Sequence, residues 1–167
     1  MTYTLLPAPL TGVKRDADGS IIPNDPHNID WQAYQSWLCA GNSTPPAPAP
    51  TQAQLLSYGK AKADALLATA RQYSVGGITL LIDASQGTRT DLGDLAQWGA
   101  ANPTATANWL DNADGVTQAT GAQFVAMAPL VGAYAMSVYA VLTPLVTSVK
   151  AGTITTAAAI DSAAWPV

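Results

Sequence analysis

Apolar and polar positions change period several times along this chain, and each change marks an element. Residues 2–6 alternate β-forming side chains and stop at Pro7 and Pro9, which predicts a short strand. Residues 13–15 and 20–22 flank Asp16-Ala17-Asp18-Gly19, a turn sequence between two short β runs, so a hairpin is expected there. Trp31, Tyr34, Trp37 and Leu38 then recur at helical spacing, putting three rings and a leucine on one face, with Asp30 as the expected N-cap. Gly41 supplies the left-handed residue that ends such a helix. Residues 43–50 hold four prolines and no large side chain, and read as an extended Pro/Ala spacer.

Past the spacer, Thr51 and Gln54 form a capping-box pattern that opens a helix expected to run to about Gln72 and to break at Gly76-Gly77. Residues 78–82 are a β run, and Ser85-Gln86-Gly87 turns the chain. Thr90 is the expected cap of a helix carrying Leu92, Leu95, Ala96 and Trp98, which Asn102-Pro103 ends. Residues 105–110 and 116–119 flank Asn112-Ala113-Asp114-Gly115, a second hairpin pattern. Thr120 and Gln123 repeat the capping box at the head of the longest apolar segment, which Gly152 stops. Thr155 or Thr156 caps a last short helix. The expected class is α+β. An N-terminal hairpin and short helix (residues 1–42) lead through a linker (43–50) to a domain of helices, short hairpins and one long apolar helix (51–167).

No charged side chain lies between Asp114 and Lys150, and residues 124–149 are apolar enough and long enough to cross a bilayer. Pro129, Pro144 and a high content of Ala, Gly, Ser and Thr favour burial in protein over a membrane span. A helix apolar all round must be surrounded by protein, and one small domain offers it too few neighbours. Packing between copies is therefore expected, with Val131 and Val138, seven residues apart, on the shared face.

Composition changes this picture in one respect. Hydrophobic residues make up 49% of the 167, enough for a core, but charged residues only 11%, against about 25% in ordinary soluble domains. So little charge protects a lone surface poorly, and coverage by partners in an assembly is the simplest remedy. The net charge of −4 and the scattered Lys and Arg residues argue against nucleic acid. Cys39 is the only cysteine, so no intrachain disulfide or thiolate cluster can form, and it is expected to be buried on the aromatic helix. Residues 1–9 lack a basic start and a sustained apolar core, so no signal peptide is expected.

The segment from Asp18 to Pro45 resembles the N-terminal element of small tail-fibre, fibre-assembly and baseplate proteins of tailed bacteriophages. The resemblance is carried by Asp18, Gly19, Ile22, Pro23, Asp25, Asn28, Asp30, Trp31, Tyr34, Trp37, Leu38, Gly41, Asn42 and Pro45. The second half is similar to an uncharacterised C-terminal domain of phage tail-associated proteins, through Asp91, Trp109, Asp114, Gly115, Thr120, Gln123, Ile160 and Asp161. The resemblance implies a structural protein of the virion tail, made in the bacterial cytoplasm, that binds other tail proteins and forms a homo-oligomer, with trimers common in fibres. Two other readings stand beside it: a fibre-assembly chaperone capping the fibre tip, and a membrane-active protein of holin or infection-channel type.

Candidate chemistry is sparse. His27, the only histidine, lies among carboxylates, but no nucleophile-elbow pattern accompanies it, and a loop hydrogen bond is its ordinary role. Asp16, Asp18, Asp25 and Asp30 form an acidic stretch that lacks the glycine position and terminal glutamate of a calcium loop; the chain contains no Glu. Gly76 and Gly77 are followed by no phosphate-loop lysine. Neither an enzyme, a cofactor nor a metal is expected. Trp31, Tyr34 and Trp37 could stack on a sugar, but their helical spacing beside a spacer favours a protein partner. Trp31, Tyr34, Trp37 and Leu38 are the expected protein-binding face.

Overall fold

The structure, a computed structural model, describes residues 1–7, 10–112 and 115–166. Pro9, the turn residues Ala113 and Asp114, and Val167 lie outside the described residues. Strands β1 (Tyr3–Leu5), β2 (Gly12–Arg15) and β3 (Ile21–Pro23) form an antiparallel sheet in that order. The register sets Leu5 opposite Val13 and Val13 opposite Ile22. The alternation turns Tyr3, Val13 and Ile22 inward, where each is at most 2% exposed. Helix α1 (Ile29–Cys39) covers that face and buries Tyr34 against it. The expected strand, hairpin and helix are all present, and Gly41 takes a φ of 86° just past the helix.

The cap of α1 differs from expectation. Asn28, not Asp30, is the N-cap, its Oδ1 accepting from Trp31 N at 3.1 Å. Asp30 falls inside the first turn, where its charge suits the positive helix end and its oxygen is free for Arg15.

The second unit contains α2 (Gln52–Ala68), β4 (Arg71–Val75), β5 (Ile78–Ile82), α3 (Gln86–Ala101), β6 (Thr106–Leu110), β7 (Val116–Thr120), α4 (Gly121–Lys150) and α5 (Ala157–Asp161). Both expected capping boxes form, at Thr51/Gln54 and Thr120/Gln123, and Thr156 caps α5. Helix α2 stops at Ala68, short of Gln72, because residues 71–75 pair with β5 instead. Arg71, Tyr73 and Val75 alternate inward, and Gly76 and Gly77, at φ of 55° and 82°, make the tight turn a two-residue hairpin needs. The glycine pair is thus a hairpin turn and not a helix break. Ser85, not Thr90, caps α3, which opens five residues earlier than expected at Gln86. The second hairpin forms as expected, with Trp109 opposite Thr117.

Helix α4 carries the core. Phe124, Met127, Val131, Ala135 and Val138 follow at three- and four-residue steps, each at most 1% exposed. They meet Ala63 and Leu67 of α2, Leu80 and Ile82 of β5, Leu92 of α3, and Trp109 and Ala119 of the second hairpin. Leu55, Val149 and Ile160 close a smaller cluster where α2, α4 and α5 meet. Val131 and Val138 are therefore buried within one chain and do not face another copy. One domain does supply neighbours for this face of the helix.

The opposite face of α4 is open: only 22% of its most apolar 18-residue window is buried, and by length and composition α4 could cross a membrane. Pro129 and Pro144 both lie on that open face. Neither interrupts the helix, because the carbonyls they leave unpaired, those of Val125 and Ala140, belong to exposed residues that water can reach.

Candidate functional site

The four predicted binding residues sit together on α1, but not as a free face. Tyr34 is buried at 4% exposure, and Trp31, Trp37 and Leu38 are half-buried against Tyr3, Val13 and Ile22. Tyr3 meets Tyr34 edge-on with ring centroids 5.1 Å apart, and lies 5.1 Å from Trp37. Trp31 packs on Tyr34 at 5.0 Å. Such ring pairs contribute about 0.5–1.5 kcal/mol beyond area burial, so the aromatic face first holds its own module together. Tyr34 Oη also meets Thr44 Oγ1 at 2.7 Å, and Leu5 N donates to Pro45 O at 3.4 Å, tying the start of the Pro/Ala spacer to the module. What remains accessible on this face is the outer part of Trp31, Trp37 and Leu38. Two exposed aliphatic side chains that the sequence pattern did not single out lie on the module as well, one on α1 and one on the outer side of the sheet. Ile29 in the first turn of α1 is 81% exposed, and Ile21 of β3 is 66% exposed.

The acidic stretch is consumed by local structure. Arg15 forks onto Asp18, with Nε 3.0 Å from Oδ1 and a terminal nitrogen 2.8 Å from Oδ2, and its other terminal nitrogen reaches Asp30 Oδ1 at 2.7 Å. Hydrogen bonds from Arg15, then from Ser20 N, hold the Asp18 carboxyl far below the usual carboxylate range, and the two carboxylates raise Arg15 in return. Asp16 accepts from Thr4 Oγ1 at 2.9 Å, and Asp25 accepts from His27 N at 2.9 Å. His27 is exposed, and its backbone makes the loop hydrogen bond. Cys39 is exposed at the end of α1, contrary to the buried position expected, because Leu38 takes the inward place beside it.

In the second unit, an open cavity of about 350 Å³ is lined by Asp83, Thr88, Asp91, Trp109 and Asn112 among others. Burial works against the Asp83 carboxylate, but hydrogen bonds from Ser85 and Asn112 outweigh it and keep it below the usual range. The Trp109 indole Nε1 is buried and has no hydrogen-bond partner among the described residues. Lys62 and Tyr58 of α2 both bond Asp161, fastening α5; Lys62 foremost, then Tyr58, hold that carboxyl low. Among the described residues no three His, Cys, Asp or Glu side chains converge in a metal-binding group.

The largest feature that the sequence pattern left undivided is the open face of α4. Val125, Leu130 and Met136 are 41%, 44% and 67% exposed there, and no charged side chain interrupts it before Lys150. Comparison of the chain with protein-family models, with curated proteins and with solved structures finds no match.

Proposed function

We propose that the chain is a non-enzymatic structural component of a bacteriophage tail, in the fibre or baseplate, that docks on neighbouring tail proteins through its N-terminal module. The observation that carries this reading is the module's architecture. Residues 1–42 hold an apolar cluster of their own, and among the described residues that cluster shares none with the clusters of the second unit. On the α1 side the module leaves Ile29 and the outer parts of Trp31 and Trp37 accessible, while Ile21 faces outward on the other side of the sheet. A small self-cored unit with apolar side chains on its rim, joined through a proline-rich segment, suits an adaptor that grips one neighbour while the rest of the chain occupies another place. The resemblance of residues 18–45 to tail proteins supplies the setting, and the low charge of 11% suits a surface covered in an assembly.

Mass spectrometry of gradient-purified virions tests the reading. The chain is expected among the minor tail proteins, in near-stoichiometric amounts. Recovery only from the lysate, with none in the particle, would overturn the structural role and favour a chaperone that dissociates. Within the particle, Ile29→Asp isolates the docking surface. Its side chain is exposed and its place in the first helical turn favours an acid, so the fold is preserved. Incorporation into virions is expected to fall while the purified chain keeps its wild-type circular dichroism.

A further inference from the structure

We infer that the open face of α4 is a self-association seam, occupied by the α4 helix of a second copy of this chain. The inference rests on α4 alone and stands apart from the tail reading. Ala126, Pro129, Ala133, Met136, Ala140 and Thr143 are all exposed, and they follow one another at alternating steps of three and four. That is the 3.5-residue period of a helix–helix seam, drawn here on the side of α4 that its own chain does not cover. Alanine recurs every seventh residue at 126, 133 and 140, so backbones can approach at the short end of the usual 8–10 Å.

Area fits a second copy. The exposed stripe, which continues through Ala122 and Thr147, covers about 39 Å of α4 and is about 10–12 Å across, so one face offers on the order of 400 Å². Two such faces bury about 800 Å² together, the size of a weak, reversible interface. The chemistry fits too, because the face carries no charge before Lys150 and small residues meet small residues when it pairs with itself.

A bilayer fits less well on two counts. The buried face of α4 is fixed to α2 and α3, whose Lys60, Asp64, Asp91 and Asp94 are exposed and would be drawn towards lipid. The net charge of −4 opposes an anionic membrane surface.

The test is sedimentation equilibrium of the purified full-length chain across a concentration series, without detergent. Wild type is expected to self-associate. Ala133→Glu and Ala140→Glu, each adding a charge on the seam, are expected to raise the dissociation constant about 100-fold or more with circular dichroism unchanged. Both sites are exposed in the single chain, so folding does not depend on them. Ala100→Glu makes the same change at an exposed position on α3 and is expected to leave association intact. A monomeric wild type overturns the inference, as does association that both seam variants retain or that Ala100→Glu abolishes equally. Co-sedimentation of wild type with phosphatidylethanolamine/phosphatidylglycerol vesicles, in place of self-association, overturns it in favour of a membrane. A chain absent from virions leaves the seam standing, and a monomeric chain found in virions removes the seam alone.

Discussion

Arg15 joins three parts of the N-terminal module from one side chain: strand β2, the turn at Asp18 and the first turn of α1 at Asp30. A planar fork with several donors can do this, and a lysine cannot, so Arg15→Lys is expected to weaken the module almost as much as Arg15→Ala. The aromatic near-ultraviolet signal of the Tyr3/Tyr34/Trp37 cluster, followed on heating, checks this. Acid should act on the same contact. The folded carboxyl of Asp18 lies below its unfolded value, so its contribution is fully present above about pH 4. It is lost as the pH falls from there through the depressed folded value. Asp18→Asn is expected to flatten the fall in urea midpoint between neutral and strongly acid solution, and an unchanged fall would rule this pair out as its cause.

Helix α3 crosses the start of α4 where two glycines meet. A Cβ at Gly99 would stand 2.3 Å from the carbonyl oxygen of Gly121, and one at Gly121 would stand 2.3 Å from that of Asn102. Alanine gains about 1 kcal/mol over glycine inside a helix, but here the obstacle is backbone and cannot swing aside. Overpacking of this kind costs about 1–3 kcal/mol, so Gly99→Ala is expected to be net destabilising. Gly93, on the same helix with nothing near its missing Cβ, gives the opposite sign. Gly93→Ala is expected to stabilise by about 0.5–1 kcal/mol. Urea midpoints of the two variants, measured side by side, separate helix propensity from close approach. The cap of α4 belongs to the same scale: Thr120→Ala removes the side chain that accepts from Gln123 N and should cost about 1 kcal/mol.

For the whole molecule, α4 is both the centre of the core and an open edge. Its two faces should therefore answer differently to the same chemistry. Val138 is 0% exposed among the core residues of α2, α3 and the hairpins. Val138→Asp would bury a carboxylate with no partner at a cost of several kcal/mol, comparable to the whole stability of a small domain. Loss of the cooperative thermal transition is expected, whatever the state of association. A soluble, folded Val138→Asp chain would mean that this face is not the core. A charge at Ala140, two residues further on, is expected to leave the fold intact.

Much of this fold was legible in the residues because much of it is decided locally. Capping boxes at Thr51 and Thr120, the Asp-Gly turn after β2 and the stop at Gly152 each depend on a few consecutive side chains and their own backbone. The aromatic face of α1 was legible in the same way, as a period of three and four. Its partner was not, since Tyr3 reaches it only through sheet pairing. The end of α2 depended on whether residues 71–75 found a strand to pair with, a choice that β5 made for them. Asn28 and Asp30 are both competent caps, and the reach of Arg15 to Asp30 places the second inside the helix. For α4 the sequence by itself determined a helix without charge before Lys150 and with apolar side chains all round, so its periodicity could not say which side would be covered. Tertiary packing decided that, by setting α2, α3 and the hairpins against Phe124, Val131 and Val138 and leaving the side of Ala133 and Met136 open. The reason is physical: a secondary structure element is fixed by contacts a few residues apart, and the choice between two equally apolar faces is fixed only by what else the chain can bring to one of them.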